Sequence, residues 1–229
     1  MIKDIINTLN KELPATVKLV AVSKFHPFEA IEEAYQAGQR IFAESRPQEL
    51  LAKVRRLDEI RVQRGEPEYM SDIEWHFIGH LQTNKLKMVL PYVSLVQSVD
   101  SLHLLEAINK WGEANSKIID VLLEPHVASE QTKQGFDPAE LMKILAVAYS
   151  HICFRGIMGM ATFTDDEAVV RSDFSRIKTL YDKVVEVYPE LTQDFTELSI
   201  GMSDDYPIAV EYGSTMVRIG SMIFGERNY

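Results

Sequence analysis

Cysteine is almost missing from this chain. Cys153 stands alone among 229 residues, so no internal disulfide can close and no thiolate metal cluster can assemble. Basic residues are scarce too: 24 Lys and Arg face 34 Asp and Glu, for a formal net charge of -10. That balance opposes nucleic acid and anionic membrane, both of which need an electropositive footprint. No apolar run approaches the roughly 20 residues that span a bilayer. The opening MIKDIINTLNKEL has no basic start, apolar centre or small-residue cleavage site, and reads as an amphipathic helix rather than a signal peptide. The six His form no HExxH or other close ligand set and the carboxylates are scattered, so no metal site is expected. Repeats, low-complexity tracts and long linkers are absent as well. The expectation is one cytoplasmic domain spanning residues 1–229 that takes a small-molecule ligand.

What is present is alternation. Short β-branched or apolar runs trade places with longer amphipathic segments, the pattern of repeated βα units around a parallel sheet. Eight strands are predicted: Val17 to Ser23, Arg40 to Ala43, Glu74 to Ile78, Val93 to Val99, Ile118 to Leu123, His151 to Met158, Glu197 to Gly201 and Met216 to Ile219. The first helix after a strand, Phe28 to Ala37, starts behind Pro27 and stops at Gly38, the usual Pro-first, Gly-last asymmetry. Another starts near Pro47 and is followed by a charged surface loop, Arg61 to Asp72. Leu102, Leu105, Ile108 and Trp111 set one apolar face of a helix over Leu102 to Asn115, and Tyr206 to Glu211 offers only a short helix closed by Gly213. Near-continuous apolar strands imply burial on both faces, and eight units favour a closed α/β barrel of the (β/α)8 TIM type over a doubly wound sheet.

In such a barrel chemistry sits at the C-terminal rim of the strands. Lys24 follows LVAVS directly and so occupies that rim. Desolvation there raises the neutral fraction of an amine, the form that attacks an aldehyde to make a Schiff base. The plain alternative is a solvated strand-end lysine. After the last two strands come SIGMS, which adds Ser199, Met202 and Ser203 to the candidate set, and RIGS, which adds Gly220 and Ser221. Barrels commonly hold a phosphate at these two loops, although Gly201 and Gly220 would also serve simply to turn the chain.

Arg218, two residues before Gly220, shares its strand face and points inward if Gly220 does. A buried Arg needs a partner. A pyridine nitrogen is one choice, since Arg gives up no proton near neutral pH and would keep that nitrogen unprotonated. An ion pair with Glu44 or Glu124 is the other. Around the third strand, WHFIGHLQTNK supplies His76, expected in the core, and His80, Gln82 and Asn84 past the strand end, where helix capping competes with ligand contact.

AVSK at Lys24, WHFIGHLQTNK from Trp75 and LSIGMSDDYPIAVEYGSTMVRIGSMIFGER from Leu198 together resemble the YggS/PROSC family of pyridoxal 5′-phosphate (PLP) homeostasis proteins. The resemblance runs from the first strand to the terminus. It implies a barrel like the alanine racemase N-terminal domain, with PLP held as an internal aldimine on Lys24. Ser203, Gly220 and Ser221 then match phosphate-binding positions and Arg218 the group facing the pyridine nitrogen. Ser45, His80 and Asn84 join the candidate set at its edge. The chain departs from the family pattern where FAES replaces FGEN, putting Ala43 for Gly and Ser45 for Asn, and where LEPH, Leu123 to His126, replaces VN. Asn to Ser shortens a side chain, so a contact from Ser45 would need a bridging water.

Two classes of function follow. The first is a PLP carrier that buffers or delivers cofactor to PLP-dependent apo-enzymes and so influences amino-acid and keto-acid pools. It is expected to be a monomer, with a weak dimer as the alternative. The second is a low-activity racemase or lyase with Lys24 as base and His126 or Tyr206 as the other group. The carrier is favoured because two-base racemisation in the related enzymes draws on a further domain, and Tyr229 follows the last strand closely. A barrel that binds another phosphorylated metabolite without covalent chemistry would use the last two loops alone and be indifferent to Lys24.

Overall fold

The computed structural model describes residues 1–127 and 135–225. After an N-terminal helix, α1 (Ile2–Glu12), eight strands alternate with helices. The strands are β1 (Lys18–Val22), β2 (Ile41–Glu44), β3 (Glu74–Phe77), β4 (Leu95–Val99), β5 (Ile119–Leu123), β6 (Ile152–Met158), β7 (Glu197–Ser199) and β8 (Met216–Ile219). Each pairs in parallel with the next, and β8 closes on β1 through Lys18 to Met216 and Ala21 to Ile219. The predicted barrel is therefore present. The helices are α2 (Phe28–Gln36), α3 (Pro47–Arg64), α4 (Leu86–Val89), α5 (Leu102–Asn115), α6 (Pro138–Leu145), α7 (Glu167–Val187), α8 (Tyr206–Glu211) and α9 (Ser221–Phe224).

Strand alternation divides the core in two. Leu19, Ala21, Phe42, Phe77 and Val121 face outward and pack against the helices in the large apolar layer. Val20, Val22, Ala43, Leu122, Met158 and Met216 fill the barrel interior. Because side chains alternate with a period of two, Lys18 stands on the same inward side of β1 as Val20 and Val22, while Lys24 is turned to that side by the turn after the strand. Lys18 lines a cavity at the N-terminal end of the barrel and Lys24 a cavity at the C-terminal end.

Several predicted boundaries shift. Most strands are shorter than the apolar runs suggest, since pairing begins only where the barrel closes; β2 instead starts one residue later and extends to Glu44. α3 continues through Arg61 to Arg64 and stops at Gly65, whose left-handed φ of 67° lets its N–H cap the last turn. The expected surface loop over Arg61 to Asp72 is thus part helix, and its remainder buries Met70 while Arg61 donates to the carbonyls of Tyr69 and Met70. On α5, Leu105 and Ile108 are buried as expected, but Leu104 rather than the exposed Leu102 completes the face at the first turn.

Candidate functional site

The strand ends converge on a cavity of about 290 Å3. Lys24 enters it from the turn after β1, Arg218 from the last turnings of β8, and Gly220 and Ser221 from the β8–α9 junction. Met202 and Ser203 close it from the loop after β7. Six sequence candidates thus share one space. The Ser221 hydroxyl donates to the Ser203 hydroxyl at 3.1 Å, joining the two Gly-bearing loops. Gly201 takes a φ of 95°, and an added Cβ would stand 2.6 Å from the Ala209 methyl, so the turn out of β7 requires glycine. A larger cavity of about 610 Å3 lies beside α3 and holds Lys53 and Arg56. It includes neither Lys24 nor the two glycine loops, so the smaller cavity is the candidate site.

Arg218 is buried, and its guanidinium donates to the Ser199 carbonyl at 2.7 Å, the Ser199 hydroxyl at 2.7 Å and the Gly159 carbonyl at 2.9 Å. Burial lowers its pKa to about 10, against the attraction of Glu124 and Asp205, so it remains cationic at neutral pH. Because Arg can only donate, the Ser199 hydroxyl must pass its own proton onward, to Gln97 Oε1 at 2.7 Å. The Gln97 amide then faces His76 Nδ1 at 2.8 Å and donates to it. His76 is therefore neutral, and burial, with Lys18 beyond it, pulls its pKa down to about 3. Ser199 belongs to this interior chain rather than to the cavity wall. Glu44, one expected partner of Arg218, is instead bound by Lys53 at 2.5 Å and by the Ser23 hydroxyl at 2.6 Å.

Other candidates lie away from the cavity lining. β3 ends at Phe77, and the chain then leaves the barrel wall, so His80 Nδ1 pairs with Asp100 at 2.9 Å and Asn84 sits exposed on a single 3-10 turn, Thr83–Lys85. Ser45 lies at the β2–α3 junction, where its carbonyl packs against Gly79. Neither proposed second base lines the cavity: the Tyr206 hydroxyl donates to Glu12 at 2.9 Å, and His126 Nδ1 is buried without a hydrogen-bond partner. Glu226 and Arg227 of the FGER motif lie outside the described residues. Sequence reading missed His26, Met158, Met160 and Asp204, all of which line the cavity. Alternation gave no signal for Met158, since Ile152 and Phe154 of the same parity pack outward and only the register shift between Val121 and Leu122 on the β5–β6 ladder turns Met158 inward. Among the described residues, no group of three His, Cys, Asp or Glu is placed to hold a metal.

The model of the alanine racemase N-terminal domain matches residues 2–228. The Haemophilus influenzae protein named pyridoxal phosphate homeostasis protein is 37% identical over 216 residues, 93% of this chain and 86% of that one. The chain belongs to the alanine racemase N-terminal domain family, in its pyridoxal phosphate homeostasis group. The resemblance read from AVSK, WHFIGHLQTNK and the C-terminal motif is borne out. Within the family, the structure of PipY from Synechococcus elongatus PCC7942 with PLP bound superposes with a TM-score of 0.87 at 33% identity, covering 98% of this chain and 100% of that one. Alanine racemase of Clostridium difficile 630 shares the fold, with a TM-score of 0.74 at 14% identity over 100% of this chain and 57% of that one. No helix among the described residues is long and apolar enough to cross a membrane.

Proposed function

We propose that this chain holds PLP in the cavity at the C-terminal end of the barrel, linked to Lys24, and acts as a single cytoplasmic domain, a monomer, that buffers the cofactor and passes it to apo-enzymes. The observation that carries this reading is the convergence of Lys24, Arg218, Ser203 and Ser221 on one cavity of about 290 Å3. These residues fit the three ends of PLP. Lys24 offers a primary amine, Ser203 and Ser221 offer hydroxyls at glycine-bearing loops, and Arg218 offers a cation that does not release its proton. When bound, PLP supplies an aldehyde that joins a primary amine with loss of one water, and a ring that can take up negative charge. Arg218 would hold the ring nitrogen without protonating it, which keeps the ring a weak acceptor of charge. Gly220 packs against Val22, an added Cβ there lying 3.1 Å from the Val22 carbonyl, at the end of the strand that Lys24 follows. A part in handling the cofactor is supported by the relatives named pyridoxal phosphate homeostasis protein.

The test is to add PLP to the purified protein, record absorbance, reduce with borohydride and locate the adduct by peptide mass, for wild type and Lys24→Ala, with amino-acid turnover assayed alongside. An adduct at Lys24 that the substitution removes, with negligible turnover, is the expected result. Adduct formation indifferent to Lys24 overturns the covalent site, and fast racemisation or lysis overturns the carrier role.

A further inference from the structure

The turn that carries Lys24 is held from outside the cavity. The Ser23 carbonyl accepts from the His26 N–H at 3.1 Å, making Lys24 and Phe25 the central pair of a tight turn. Phe25 has a φ of 69°. A positive φ at the second central position is the mark of a type II turn, which normally places Gly there, and a bulky side chain held in that region signals a constraint. The constraint comes from α3. Glu49 Oε2 accepts the Phe25 N–H at 3.0 Å, and Lys53 Nζ donates to the Ser23 carbonyl at 2.8 Å. Glu49 and Lys53 stand four residues apart, on one face of the helix, so consecutive turns of α3 grip the backbone on either side of Lys24. Arg46, the N-cap of α3, places its guanidinium 4.4 Å from the Phe25 ring centroid and reaches Glu49 Oε1 at 3.4 Å. Lys53 is in turn fixed by the buried Glu44 at the end of β2.

Resting on the PLP reading above, we propose that Glu49 and Lys53 are positioning residues that hold the Ser23–His26 turn in its positive-φ form and thereby aim the Lys24 amine into the cavity. The grip acts through backbone groups alone and needs no contact with the ligand. Without the carboxylate, Phe25 has every steric reason to leave positive φ, and the turn would redirect Lys24. Glycine at position 25 adopts that φ at no steric cost, so it should make the grip dispensable.

The experiment measures the rate at which PLP forms a borohydride-trappable adduct at Lys24, together with the melting temperature of the PLP-free protein. It compares wild type, Glu49→Leu, Glu49→Gln, Phe25→Gly/Glu49→Leu and Lys24→Ala. Glu49→Leu should slow the adduct about tenfold, the effect of losing one hydrogen bond to a charged acceptor. Glu49→Gln, which keeps a carbonyl acceptor, and the Phe25→Gly/Glu49→Leu double variant should both recover most of the rate. An unchanged rate in Glu49→Leu overturns the proposal. So does a slowed rate that tracks a lowered melting temperature and that neither Gln nor Gly recovers, since that pattern marks a merely structural role. A wild type with no Lys24 adduct fails the PLP reading itself, an outcome visible before any α3 variant is compared.

Discussion

Arg218 illustrates what one buried residue demands of its surroundings. A guanidinium taken out of water must have its donors met, and here the acceptors are two backbone carbonyls and the Ser199 hydroxyl, supplied by β7 and the Gly159 segment after β6. The arrangement uses the planar fork of Arg, which an ammonium cannot reproduce. Arg218→Lys keeps the charge but is expected to leave one carbonyl unmet and to displace the cation from the cavity. PLP retention, measured by equilibrium dialysis, should weaken by about tenfold, the effect of one lost charge-assisted hydrogen bond. Retention equal to wild type would show that charge alone suffices. At this scale Lys24 was legible, because a lysine directly after an apolar strand is conspicuous. The groups behind Arg218 were not: Gln97, which takes the Ser199 proton, lies 102 residues before Ser199, and His76 lies 21 residues before Gln97, so the chain of contacts closes only through the barrel.

The elements meet their neighbours through a few positions where no side chain fits. Gly156 in β6 pairs with Glu197 in β7 and has a φ of 150°. A Cβ there would run into the Glu197 carbonyl oxygen, so the β6–β7 ladder has no space for one. Gly156→Ala is expected to lower stability by roughly 2 to 3 kcal/mol through strand displacement, with the loss read by urea unfolding. A change under about 0.5 kcal/mol would mean that β7 moves aside without cost. Strand number and order were legible from alternation alone. The end of α3 was missed because charge was read as solvation: Arg61, Val62, Gln63 and Arg64 look like loop, yet the helix continues to Gly65, and Arg61 is needed to cap the carbonyls of the buried Met70 segment.

Across the whole molecule the barrel interior is apolar around Val20, Val22, Ala43 and Met158, is crossed by the Arg218–Ser199–Gln97–His76 chain, and is charged at its N-terminal end, where Lys18 pairs with Glu197 and Arg155 lies 3.6 Å from Asp120. His76 stands between this layer and the Arg218 chain. Its pKa falls from an ordinary 6.5 to about 3 because burial disfavours the imidazolium. Below pH 6.5 the unfolded chain therefore gains a proton that the folded chain refuses, and stability falls as pH falls, by up to roughly 1.4 kcal/mol per pH unit. Glu44, whose carboxyl is raised by burial against the pull of Lys53, is present in both proteins of a paired comparison and cancels. His76→Gln keeps an acceptor for Gln97 and removes the titration. Between pH 6.5 and about pH 5 its unfolding free energy should drop about 1.6 kcal/mol less than that of wild type. Parallel stability curves would show that His76 does not resist its proton.

The sequence by itself determined the parallel barrel, the rim position of Lys24 and the two glycine loops after β7 and β8, because each depends on local periodicity or on a residue's place at a strand end. Tertiary structure alone decided which polar groups meet. The Arg218–Ser199–Gln97–His76 chain and the hold of α3 on the Lys24 turn join residues far apart in the chain. It also sent His80 to Asp100 and left Asn84 in solvent, because the direction in which a chain leaves a strand depends on what packs beneath it and not on the residues that follow.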